Sequence, residues 1–109
     1  MILDTKYVLH IPCHKFENEM VTRINMEKCI GDLESKLDQS GYHSFYKTQV
    51  EGHYKSRKFD EVLITIFTSN ISELQPDKIF RKWFKENNDE LKQESYAYEK
   101  NNELIIEEL

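Results

Sequence analysis

Apolar and polar positions alternate from the start of the chain. In KYVLHIPC, residues 6–13, Tyr7, Leu9, Ile11 and Cys13 fall on one side, and Val8, His10, Pro12 and the following His14 on the other. A period of two with one apolar face predicts a strand. Residues 15–24, KFENEMVTRI, have no clean period and read as a connecting loop. In NMEKCIGDLESKLDQSG, residues 25–41, Met26, Ile30, Leu33 and Leu37 recur at helical spacing. Asn25 is placed to cap the start of this helix and Gly41 to sit just past its end.

Residues 42–54, YHSFYKTQVEGHY, are aromatic and β-branched and predict a second strand, with Gly52 marking a bulge or a close approach. KSRKFD reads as a polar turn. EVLITIFTS, residues 61–69, is short, apolar and β-branched, which predicts a central strand buried on both sides. In ISELQPDKIFRKWFKENNDELKQ, Pro76 suits a first helical position, and Ile79, Phe80, Trp83, Phe84 and Leu91 form one stripe. ESYAYEK and ELIIEEL, divided at Asn101-Asn102, complete the chain as a hairpin or as one strand with an extension.

The order is strand, helix, strand, strand, helix, strand. It predicts an α+β fold: a ferredoxin-like βαββαβ sandwich, with an antiparallel sheet, two helices on one face and a possible extra C-terminal strand. In element order the chain resembles the small ferredoxin-like proteins of bacteria, archaea and their plasmids and phages. An RNA-recognition motif would place a Gly-Phe-containing aromatic signature on the third strand, where this chain has EVLITIFTS.

Length and composition narrow the class. A chain of 109 residues with 39% hydrophobic residues fits one soluble domain, residues 1–109, with enough core to fold without a disulfide or metal. There is no apolar run of signal-peptide or membrane-spanning length, and Cys13 and Cys29 form no paired pattern. A cytoplasmic protein with reduced thiols and no membrane association is expected. Of the net charge of −5, much lies in residues 86–109, where eight acids face only Lys92 and Lys100. Such a segment repels polynucleotides, so nucleic acid is an unlikely partner.

Two segments could carry chemistry. His10, Cys13 and His14 lie close together, but H-x-x-C-H is not a common zinc spacing, and a regular strand points Cys13 away from the two histidines. No metal or other cofactor is expected, and Cys13 reads as a core thiol rather than a nucleophile. His43 and His53 are placed on one face of the second strand. GHYKSRKFDE, residues 52–61, gathers His53, Tyr54, Lys55, Arg57 and Lys58, a combination suited to a phosphate or an acidic partner, or simply to a solvated hairpin tip.

No nucleotide-binding loop, hydrolase, zincin or CxxC motif is present, so the sequence leans away from an enzyme. The leading expectation is an interaction or regulatory module. It would be homodimeric through the helix-free sheet face, and would bind an unidentified protein or small molecule through His10, His14, His53, Tyr54, Lys55, Arg57 and Lys58. The alternative is a metal-binding or enzymatic protein using sheet-face histidines. A weak nucleic-acid binder acting through the 52–61 hairpin is third.

Overall fold

The computed structural model describes residues 2–69 and 75–109. The first part of the predicted second-helix segment, residues 71–74, lies outside them. Among the described residues seven strands and two helices follow in the order β1 (Thr5–Pro12), β2 (His14–Glu17), β3 (Met20–Arg23), α1 (Glu27–Gln39), β4 (Phe45–Tyr54), β5 (Arg57–Thr68), α2 (Pro76–Leu91), β6 (Ser95–Lys100) and β7 (Glu103–Glu108). Five of the strands form one antiparallel sheet in the order β4-β5-β1-β6-β7, and β2 pairs with β3 separately. The architecture is therefore α+β with two helices and antiparallel sheets. It carries more strands than the sequence pattern predicts.

Alternation in the central strand divides the molecule. Tyr7, Leu9 and Ile11 of β1, with Val62, Ile64 and Ile66 of β5, enter the core against Ile30, Leu33 and Leu37 of α1 and Ile79, Phe80, Trp83 and Phe84 of α2. Both apolar helix stripes thus cover the same sheet face, which hides the largest rings from water. Trp83 fastens the helices together: its indole N–H donates to the Cys29 carbonyl at 2.8 Å, and its ring stacks on Phe80. No described helix is long and apolar enough to cross a membrane.

The turns explain several boundaries. Three hairpins close on residue pairs with both φ angles positive: Asn18-Glu19, Lys55-Ser56 and Asn101-Asn102. Two-residue connections of this kind match the twist of the paired strands. At Asn101-Asn102 the chain takes the hairpin, of the two arrangements the sequence leaves open there. The Lys55-Ser56 turn is tighter than the polar turn read at 55–60, so β5 begins already at Arg57. Most of residues 15–24 is not a loop: His14–Glu17 and Met20–Arg23 form the β2–β3 hairpin. Gly52 marks neither a bulge nor a close approach, because β4 and β5 stay in continuous register from Phe45↔Ile66 to Tyr54↔Arg57. Gly41, at φ +94°, does end the first helix in a left-handed conformation.

At the start of α2 a tyrosine cluster closes the core. The Tyr7 hydroxyl donates to Gln75 at 3.4 Å, Tyr98 reaches Asp77 at 3.5 Å, and Tyr96 donates to Glu107. Burial first, then neighbouring carboxylates, push the Tyr7 and Tyr98 hydroxyls up to about 12 and raise that of Tyr96 as well.

Candidate functional site

Cross-strand register builds the helix-free face in rows. Tyr46, Thr65, Val8, Glu99 and Leu104 lie across the five strands, and Thr48, Leu63, His10, Ala97 and Ile106 lie across the next row. His10 is at the centre. Its Nε2 is 2.7 Å from the Glu99 carboxylate, and its Nδ1 is 4.0 Å from Glu61. The two carboxylates address opposite ring nitrogens, so the three side chains form a chain rather than a cage. Among the described residues no group of three or more His, Cys, Asp or Glu side chains is arranged to hold a metal ion.

The other sequence-predicted histidines are dispersed over separate elements. His14 opens the separate β2–β3 hairpin, yet pairing with β5 runs on past Pro12, with the Cys13 N–H donating to the Asp60 carbonyl at 3.2 Å, and His14 lines a 210 Å³ cleft with Pro12 and Glu61. There its ring meets Phe59 edge-on with centroids 5.6 Å apart, its Nδ1 is buried without a partner, and its carbonyl accepts from Gln93 at 2.9 Å. His43 precedes β4 and pairs with Asp38, so it does not share a strand face with His53. His53 lies 3.3 Å from Glu51.

The 52–61 hairpin meets the β2–β3 hairpin and the chain after α2. Two adjoining clefts, of 640 and 210 Å³, share Phe16, Tyr54, Phe59 and Gln93. Lys55, Arg57 and Lys92 line the larger one, with Glu94 and Glu19 on its wall. The Lys55 ammonium lies 5.3 Å from the Tyr54 ring centre, and the Arg57 guanidinium 6.0 Å from that of Phe16. By contrast Lys58 is 3.7 Å from Glu51 and leans away from this group. Glu61 lines the smaller cleft and also touches His10, which connects the aromatic-cationic end of the sheet to the carboxylate-histidine chain.

A cavity of this size falls within the range of small-molecule sites, which commonly combine apolar walls with a few polar groups. Its rings can stack on a planar base, its cations can take an anion, and Glu61 can take an ammonium. Sequence reasoning found Tyr54, Lys55 and Arg57 but missed Phe16, Lys92, Gln93 and Glu99. The Asn18-Glu19 pair between KF and MV was the available signal for the first of these, since Asn favours positive φ.

Another cleft, of 760 Å³, lies beside the start of α1 and is lined by Cys13, Arg23, Lys47 and Gln49. Its cations are already engaged, Arg23 with Asp60 at 2.8 Å and Lys47 with Glu34 at 2.9 Å. Burial, partly offset by Arg23, pushes the Cys13 thiol up, which disfavours the thiolate a nucleophile requires. Cys13 is a core residue beside Leu9 and Ile11, as its strand parity predicts.

Neither protein-family models nor curated protein sequences give a match. Solved structures do. A phage SAM lyase in its apo state superposes with a TM-score of 0.57 at 14% identity, covering 96% of this chain and 89% of that one. A phage SAM lyase in complex with S-methyl-5′-thioadenosine gives a TM-score of 0.55 at 13% identity with the same coverage. At these identities the likeness is one of fold.

Proposed function

We propose that this chain is a small enzyme with a ferredoxin-like core that binds S-adenosylmethionine and splits it without water. The carrying observation is the cleft that joins Phe16, Tyr54 and Phe59 to Lys55, Arg57, Lys92 and Glu61. An adenosyl sulfonium amino acid asks for the same three things: a ring surface for its base, cations for its carboxylate, and a carboxylate for its ammonium. The fold likeness to SAM lyases over 96% of the chain supports this choice among nucleoside ligands.

The chemistry suits a protein without catalytic motifs. The substrate carboxylate attacks its own Cγ, the Cγ–S bond breaks, and its electron pair stays on sulfur. The products are neutral S-methyl-5′-thioadenosine and homoserine lactone. No proton has to move in this step, and no external nucleophile is consumed. The protein's work is to fold the substrate so that carboxylate and Cγ approach, and to keep water away; orientation alone can supply a large share of such a barrier. In this role Arg57 and Lys92 hold the carboxylate at the cleft wall, and Tyr54 and Phe59 hold the adenine. Glu61, positioned by His10, receives the ammonium.

Incubation with S-adenosylmethionine followed by mass spectrometry tests the proposal. S-Methyl-5′-thioadenosine and homoserine lactone are expected, without incorporation of ¹⁸O from labelled water into lactone trapped before hydrolysis. Absence of both thioadenosine formation and saturable thioadenosine binding would reject it. Arg57→Ala is expected to weaken substrate binding about tenfold, the loss of one charge-assisted hydrogen bond. A second reading, an interaction or regulatory module, is favoured by Tyr46, Leu104 and Ile106, which stand exposed on the open sheet face. Its test is the state of association.

A further inference from the structure

We infer that the β2–β3 hairpin is a hinged flap that closes over the aromatic-cationic cleft when a ligand enters, the identity of that ligand resting on the lyase reading. The hairpin stands apart from the five-stranded sheet as a sheet of its own, with two strands of four residues each. Such a pair is marginally stable by itself in water, so its order depends on what it leans against. Register gives it two unlike faces. His14, Phe16, Val21 and Arg23 share one, and Lys15, Glu17, Met20 and Thr22 share the other. The first face is turned toward β4 and β5: His14 meets Phe59 edge-on, the Arg57 guanidinium lies 6.0 Å from the Phe16 ring centre, and Arg23 bonds Asp60 at 2.8 Å.

Only the base of this face is seated. The Cys13 N–H donates to the Asp60 carbonyl at 3.2 Å and the Ile24 N–H to the Cys13 carbonyl at 2.8 Å, so both ends of the hairpin are tied through Cys13 to β5. Gln93 holds the His14 carbonyl at 2.9 Å. Further out, the polar and ring contacts between the hairpin and the rest of the described chain reduce to the Phe16–Arg57 pair. Phe16 remains 53% exposed, and clefts of 640, 540 and 210 Å³ open between hairpin residues and Tyr54, Lys55, Arg57, Lys58 and Phe59. Swinging the tip inward onto a ligand would take Phe16 and Val21 out of water, which favours closure. His14 supplies the opposing tendency. Its Nδ1 is buried without a partner, a state that costs free energy until water reaches it, and lifting the hairpin relieves that cost. One element with two positions, each favoured by a named interaction, is a switch rather than a fixed wall.

Hydrogen exchange of the full chain, read by mass spectrometry with and without saturating S-methyl-5′-thioadenosine, tests the flap. In the free chain the amides of residues 14–23 are expected to exchange at least about a hundredfold faster than those of β1 and β5, and to slow at least about tenfold on binding. His14→Phe keeps a ring against Phe59 and removes the orphaned nitrogen, so its free hairpin is expected to exchange about tenfold more slowly than that of the wild type. Phe16→Ala, at an exposed position, is expected to abolish the slowing on binding. Hairpin amides as protected in the free chain as those of β1, unmoved by His14→Phe, or still slowed in Phe16→Ala overturn the inference. Thioadenosine that binds saturably yet leaves residues 14–23 at their free rates overturns the flap and leaves the lyase reading standing, whereas absence of saturable binding removes both.

Discussion

Replacing Trp83 with Phe probes the joint between the two helices. The indole is fully buried, stacked on Phe80 at 5.7 Å and edge-on to Phe84 at 5.9 Å, and its N–H donates to the Cys29 carbonyl at 2.8 Å. Phenylalanine keeps an aromatic ring but leaves a void of roughly 40 Å³, which at about 24 cal/mol per Å³ costs about 1 kcal/mol. Loss of the hydrogen bond adds about 1 kcal/mol. The smaller apolar area removed from water adds about another 0.5–1 kcal/mol. A destabilisation of about 2.5–3 kcal/mol is therefore expected, read as a lower urea midpoint at unchanged slope. A loss below about 1 kcal/mol would refute the reasoning, since it would mean that neither the void nor the donor matters at this joint. Trp83→Ala should cost more, about 3–5 kcal/mol.

Stability should fall at alkaline pH. Tyr7 and Tyr98 titrate near 10 when unfolded and are pushed up to about 12 in the fold, so between these values the folded chain holds more protons. Their contribution is complete below pH 10 and lost as pH rises toward 12; urea midpoints that do not decline over that window would contradict the burial assigned to the two hydroxyls. Gly41→Ala should cost about 1–2 kcal/mol through backbone strain alone, because φ is +94° and no atom crowds the new methyl. A neutral result in thermal unfolding would deny the left-handed turn after α1.

The helices and central strands were legible because each repeats one period long enough to outvote its exceptions. Trp83, Phe80 and Phe84 fall on one stripe whatever the loops do, and Tyr7, Leu9 and Ile11 alternate without a break. The β2–β3 hairpin escaped because each strand is only four residues long, with apolar residues too few to show a period. That omission carried an error with it. His14, read as the residue after a single first strand, opens that hairpin instead and meets Phe59 edge-on. His43 was misplaced in the same way, by starting the second strand three residues early.

The candidate site was harder to see, for a reason of distance along the chain. Its rings come from Phe16, Tyr54 and Phe59 and its cations from Lys55, Arg57 and Lys92; among its carboxylates are Glu19, Glu61 and Glu94, and Glu99 reaches it only through His10. Parity could say that His10 faces away from the helices. Only the register, which sets Val8 against both Thr65 and Glu99 and His10 against both Leu63 and Ala97, could say which carboxylates meet it. Once that register is known, the His10–Glu99 pair explains two properties at once. It joins the two ionisable side chains in the middle of a face where Val8, Leu63 and Ala97 alternate with Thr48 and Thr65. It also leaves the second imidazole nitrogen directed at Glu61, the carboxylate that enters the cleft. Glu99→Gln should therefore disturb ligand binding through Glu61 without touching the ligand, and His10→Gln should reproduce the effect; thioadenosine titrations unchanged by both substitutions would break the link between the face and the site.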